Sequence, residues 1–432
     1  MRLIHQRTPG VPVTSLSLLL PGTGACRDPE PRQGLTRLLL RLLFTGAGGL
    51  SNTELNGRLE RLGATMGHGL GSDHVALRLT TLSDNLDAAL ELFLLTLHEP
   101  AFAEEEYHRL QAELVSGWRT EREESKQLRA YEVYARTLYR GAPTGYQADG
   151  LEAGLRATTV AEARAHYPRL FGQGEPILAV LSDLSREEVA RRVGERLKLP
   201  PGEPLPPSPW EGFAPEEPPQ RRVVIVPEAG TNTDEIFCGA FSAGETDPDW
   251  HIHRLIALIF GGDMNSRLFR IIRGENGFSY GASCWYEAGQ GRRPRNRVGP
   301  FSLYTFPSAE HTARALPLLV SLYEELVAGG VTPEELEQAR SALANSHPFL
   351  RDTPQKLLGL EIEEALYGVV TDDEATFRAK LEAVTPADVA RVLRATHHPE
   401  RATLVLLGDP ARLEPLAAAL PGVGQVERVV YP

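Results

Sequence analysis

Lysine is nearly absent from this 432-residue chain: Lys126, Lys198, Lys356 and Lys380 are the only four. Arginine supplies the rest of 45 basic residues, against 57 acidic ones, for a formal net charge of -12. With no basic excess to neutralise phosphates, a general nucleic-acid binder is excluded. The arginine bias reads as genome composition rather than a phosphate site. Cysteine is equally sparse. Cys26, Cys238 and Cys284 are widely spaced and odd in number, which excludes a disulfide framework or a metal knuckle and fits a reduced compartment. The opening MRLIHQRTPG lacks the apolar core of a signal peptide, and SLSLLL at 15–20 is too short for export or for spanning a bilayer. The expectation is a cytoplasmic protein without a membrane partner. No Walker sequence and no G-x-S-x-G occurs, and GHGLG at 67–71 lacks the strand-to-helix setting of a dinucleotide loop. The histidines offer no ligand spacing. His251 and His253 are two apart, His397 and His398 are adjacent, and His68 and His74 would lie roughly 20 Å apart in one extended segment.

What is present is ordinary for a globular chain, with 42% hydrophobic and 7% aromatic residues over a length that suggests two to four domains. A strand at 12–20 precedes the apolar helix GLTRLLLRLLF at 34–44. A helix at 51–62 opens on a Ser51/Glu54 capping box, and strands follow near 64–70 and 74–81. Helices are expected at 84–97, 103–124, 127–139 and 159–170, then a strand at 177–181 and a helix opening on Ser185. At 200–219 the composition turns to PPGEPLPPSPWEGFAPEEPP, a stiff, extended connector. The pattern then restarts with RRVVIVP and DEIFCGAF. Landmarks recur: the apolar helix ending at Phe44 and Gly46 matches one ending at Phe260 and Gly262. TTVAEARAHY at 158 matches VTPADVARVL at 384, and ILAVLSD matches TLVLLGD. A period of half the chain means a duplicated α+β unit. The expected fold is two half-domains, 1–199 and 221–432, each a mostly antiparallel sheet with long helices on one face, forming a clamshell about a linker at 200–220.

The most informative stretch is GGDMNSRLFRIIRGENGFSY, Gly261 to Tyr280. Leu268, Phe269, Ile271 and Ile272 read as the buried side of a helix that Gly274 and Gly277 end. The turn places Arg273 near Tyr280, two hydrogen-bond donors suited to a carbonyl oxygen that becomes an oxyanion. The bland alternative makes Arg273 a helix C-terminal residue and Tyr280 an ordinary strand residue. The pattern resembles the second half-domain of the pitrilysin/insulysin family, inverted-motif zinc peptidases that include the mitochondrial processing peptidases. In that family an Arg and a Tyr seven residues later hold the scissile carbonyl, and Arg273 and Tyr280 match them.

The resemblance also locates an absence. The family's first half carries H-x-x-E-H, whose histidines bind zinc while the glutamate activates water. Here the corresponding slot holds Arg37, Leu40 and Arg41. The third ligand, a glutamate about 76 residues on, falls at Gly117 beside Trp118, and a preceding acidic position falls on Leu110. A guanidinium has no lone pair to give, so this chain is expected to bind no metal. The resemblance implies the zinc-lacking subunit of a two-chain metallopeptidase. It would supply Arg273 and Tyr280 to a composite site whose zinc belongs to a homologous partner. It is not expected to be active alone. Arg37 and Arg41 are either a solvated face or a cleft lining that attracts carboxylates of a peptide or partner. The alternative is a non-catalytic structural or peptide-binding relative, and a homodimer in isolation is a further possibility.

Overall fold

Two sheets carry the molecule. The computed structural model describes residues 1–140, 150–172, 174–287 and 294–431. The strands are β1 (Arg2–Arg7), β2 (Val13–Pro21), β3 (Thr65–Leu70), β4 (His74–Leu82), β5 (Ile177–Ser182), β6 (Arg221–Pro227), β7 (Glu235–Ala243), β8 (Ser279–Tyr286), β9 (Gly299–Pro307), β10 (Thr403–Gly408) and β11 (Val423–Arg428). The first sheet runs β1-β5-β2-β4-β3 and the second β11-β6-β10-β7-β9-β8. β1 pairs β5 in parallel, as β6 does β10 and β11, and the other pairs are antiparallel. Without β11, the second order repeats the first strand for strand. The repeated sequences explain why: ILAVLSD forms β5 and TLVLLGD forms β10, the parallel partners of β1 and β6. The two matched helices, Val160–His166 and Pro386–Thr396, both open on capping boxes, Thr159/Glu162 and Thr385/Asp388.

One face of each sheet is covered by its own half's helices. Leu38, Leu42 and Leu43 of the Leu35–Leu43 helix join Leu16, Leu18, Leu77 and Leu178 in the first core. Ile252, Leu255, Leu316 and Leu393 join Val223, Leu303 and Leu404 in the second. The opposite faces are covered by exchange. The Lys126–Leu138 helix sends Val133, Tyr134 and Leu138 onto Phe237, Val405 and Leu407 of the second sheet. The Pro354–Tyr367 helix lays Leu358, Ile362 and Leu366 on Ile4, Ile177 and Ala179 of the first. The halves are therefore held by two swapped helices as well as by the connector. The connector is itself pinned, with Trp210 buried in the core under the second sheet and Arg27 Nη1 donating to Pro206 O at 2.8 Å.

The sequence reading omitted β1, the Pro354–Tyr367 and Glu374–Ala383 helices, and the terminal Pro410–Ala419 helix with β11. The strands expected near 64–70 and 74–81 form, and a turn at 71–73 joins them as a β3–β4 hairpin that sets His68 and His74 on adjacent strands rather than in one extended segment. The three cysteines are buried free thiols. Among the described residues no single helix is long and apolar enough to cross a membrane.

Candidate functional site

The Gly261–Tyr280 stretch folds as helix, turn and edge strand. Asp263 starts it, its Oδ1 accepting from Asn265 N at 2.8 Å while its carbonyl accepts from Ser266 Oγ at 2.6 Å. Arg267 anchors it, donating from Nε to Glu335 Oε1 at 2.5 Å and from Nη2 to Gly330 O at 2.9 Å. Residues Phe269–Glu275 wind as a π-helix, a rare geometry that recurs at functional sites. Gly277, at φ 63°, is the left-handed residue that ends the winding, its N–H capping Arg273 O at 3.0 Å. Gly274 lies inside the winding and is not a stop. Leu268 and Ile272 are buried as expected and Ile271 packs half-buried against the second core, but half-buried Phe269 lies outside that core and carries the Arg273 guanidinium 4.8 Å from its ring centroid.

That guanidinium also covers the Tyr280 ring, 4.2 Å from centroid. The structure thus brings Arg273 and Tyr280 together, by stacking rather than by a hydrogen bond. Tyr280 is 74% exposed, and its hydroxyl has no partner among the described residues. A bulge aims it. Ser279 opposes Pro307 and Ala282 opposes Thr305, so Tyr280 and Gly281 together face only Phe306. Such an extra residue re-aims a side chain out of the ladder. β8 is the last strand of its sheet, and its outer edge is unpaired among the described residues. Gly261 permits this packing, because a Cβ there would sit 2.4 Å from the Cys284 backbone nitrogen.

The second constellation lies between two helices, partly open to solvent. Leu40 is completely buried in the first core, while Arg37 and Arg41 are half-buried. Arg41 Nη2 reaches Glu113 Oε1 at 2.5 Å, and Glu113 also receives Arg109 Nη1 at 3.2 Å. Glu113 lies one helical turn before Gly117, which is exposed with open space where a side chain would stand. An ion pair therefore bridges the Leu35–Leu43 and Glu104–Glu124 helices. The helix start is fixed by buried Asp28, which accepts from Gly34 N at 2.8 Å and Thr36 N at 3.0 Å, a support the sequence reading missed. His68 lies beside this slot. Burial first, then the charges of Arg41, Arg37 and Arg78, push it down to about 4. Arg37, Leu40, Arg41 and Gly117 do not fit a zinc ion: the donor set lacks lone pairs and the local field is cationic.

Residues 2–148 match the family model described as insulinase, peptidase family M16, and residues 157–343 match the peptidase M16 inactive domain. The chain belongs to peptidase family M16. Among M16 relatives, the non-peptidase homolog YmxG of Helicobacter pylori is 18% identical over 91% of this chain and 88% of its own length. An uncharacterized zinc protease of Streptomyces coelicolor is 21% identical over 85% of this chain and 79% of its own. The crystal structure of a peptidase M16 inactive domain from Pseudomonas fluorescens superposes with a TM-score of 0.80 at 22% identity, covering 94% of this chain and 95% of that one. A Helicobacter pylori protease structure gives 0.78 at 16%, covering 94% and 96%. The M16 fold is shared throughout.

Among the described residues no three His, Cys, Asp or Glu side chains come together as a metal site in this M16 chain. The histidines that the sequence separates do meet, but as core polar groups. Tyr286 OH bonds His253 Nδ1 at 2.9 Å and His397 Nε2 at 2.8 Å, and Tyr323 OH reaches His397 Nδ1 at 3.1 Å. Burial pushes His253 down to about 4 and His397 well below its ordinary value. No spacing rule in the sequence signals this chain, because its members come from four separate elements.

Proposed function

We propose that this chain is the zinc-lacking subunit of a two-chain M16 peptidase, acting in the cytoplasm beside a homologous zinc-bearing subunit. The observation that carries the reading is the exposed Tyr280 phenol, stacked on Arg273 at the start of an open edge strand. A peptide lies extended along a sheet edge and gains backbone hydrogen bonds there. Arg273 and Tyr280 donate to its scissile carbonyl and stabilise the oxyanion that forms on it. The partner supplies the zinc-bound water. Arg37 adds positive charge that attracts a carboxylate of the peptide or of the partner, and Arg41 joins it where such a carboxylate displaces Glu113.

The second reading, a non-catalytic relative that binds peptide or serves as a scaffold, has its own support. All the ligand and base slots are vacated together, and one relative carries the name non-peptidase homolog. A scaffold has no need of an exposed Arg/Tyr pair. The test mixes the purified chain with a homologue bearing H-x-x-E-H, such as one encoded by a neighbouring gene, and measures peptide hydrolysis against each alone. Hydrolysis by the mixture only supports the composite site. Equal hydrolysis with and without this chain removes it, and zinc-dependent hydrolysis by this chain alone removes both readings.

A further inference from the structure

Arg254 lies in the last turn of the Trp250–Ala257 helix and lines a cavity of about 660 Å³ that includes neither Arg273 nor Tyr280. Its guanidinium stacks on Phe377, 4.8 Å from the ring centroid, and Phe377 stacks in turn on His347 at 4.1 Å. Among the described residues Arg254 has no hydrogen-bond or ion-pair partner. Burial lowers its pKa, and the charge of Glu245 only partly opposes this.

The carboxylates of the cavity are already engaged. Arg295 Nε donates to Glu245 Oε1 at 2.6 Å, Asp249 N donates to Asp247 Oδ1 at 2.8 Å, and Lys380 Nζ lies 2.7 Å from Asp372 Oδ2. A half-desolvated cation with no counter-ion is a costly feature unless something supplies the charge. Trp250, Leu360, Val369 and Phe377 give the cavity an apolar side, with Thr246, His251 and Thr371 among its polar lining. An anion alone would satisfy the guanidinium and leave those walls wet. We infer that this cavity binds a carboxylate with an apolar body, the carboxylate on Arg254 and the body against Trp250, Leu360 and Val369.

Leu360 belongs to the exchanged Pro354–Tyr367 helix, whose other side covers the first sheet. The ligand therefore ties that helix to the second half from behind. The inference does not depend on the composite-peptidase reading, since it needs neither a partner nor catalysis.

N-acetyl-L-phenylalanine is the probe, with N-acetyl-L-phenylalaninamide as the uncharged control, titrated calorimetrically into the full chain. A ligand of this size binds with a Kd of about a millimolar. Loss of a charge-assisted hydrogen bond then costs about tenfold or more in affinity. The amide should bind at least tenfold more weakly than the acid. Arg254→Gln should lose the acid by the same factor, and Arg254→Lys should stay within about threefold of wild type. The acid–amide comparison on the wild-type chain stands even if the variants misfold. Equal binding of acid and amide, no binding of the acid at ten millimolar, or acid binding untouched by Arg254→Gln overturns the inference. Displacement of the acid by equimolar inorganic phosphate removes the role of the apolar wall and overturns it too.

Discussion

Removing the Tyr280 hydroxyl separates catalysis from folding. Because Tyr280 is 74% exposed and its hydroxyl has no partner among the described residues, Tyr280→Phe leaves every packing contact in place, including the stack under Arg273 at 4.2 Å. The stability change should lie within ±0.5 kcal/mol, as for surface substitutions away from special features. Loss of one oxyanion donor lowers kcat by about 10² to 10³. Arg273→Met removes the second donor and its stacking on Phe269 and Tyr280, a stability cost of only about 0.5–1 kcal/mol at an exposed site. If both groups serve one oxygen, the double variant loses less than the product of the two single losses. The assay is initial rates of the complex reconstituted with a zinc-bearing homologue. Size-exclusion confirms assembly, and urea midpoints confirm folding. Turnover of Tyr280→Phe within threefold of wild type, in an assembled complex, would falsify the oxyanion role. A raised KM with unchanged kcat would instead make Tyr280 a substrate-binding residue.

Gly261→Ala places a methyl 2.4 Å from the β8 backbone at Cys284, so the strand or the preceding helix must shift. The expected loss is about 1–3 kcal/mol, read in urea, with composite turnover falling further because Tyr280 shares that strand. Glu132→Ala strips Arg122, itself 2% exposed, of a carboxylate 2.6 Å away that also receives the Tyr431 hydroxyl. Arg122 keeps Glu121 at 3.0 Å, so the loss should be about 1.5–3 kcal/mol, again by denaturant midpoint; a change below about 1 kcal/mol refutes it. For His253 the sign follows from its depressed pKa. The unfolded residue takes up a proton below about 6.5, while the folded one stays neutral to about 4. Stability is thus present above 6.5 and lost as pH falls toward 4, by about 1.4 kcal/mol per pH unit. His253→Gln should flatten that slope in denaturation curves taken between pH 4 and 7; an unchanged slope places the titration elsewhere.

Much of the local geometry around Arg273 and Tyr280 is legible in the sequence because its information is local. A helix, a glycine at positive φ and a strand must follow one another within twenty residues, so Arg273 and Tyr280 have little freedom to separate. The Ser51, Thr159 and Ser185 capping boxes are likewise set within four residues, and all three form. The vacated ligand slots needed only residue identity, since no fold gives arginine a lone pair. Sequence alone therefore determined the duplicated α+β unit and the chemistry available at each slot.

Tertiary structure decided what lies against what. The Pro354–Tyr367 helix is missed in the sequence reading, and periodicity would in any case say only that a face is buried, not that it is buried by the other half's sheet. The bulge that turns Tyr280 outward, the Arg41–Glu113 bridge and the cavity that holds Arg254 all depend on register or on side chains distant in the chain. Those are long-range contacts, chosen by closure of the whole core, and no short window of residues contains them.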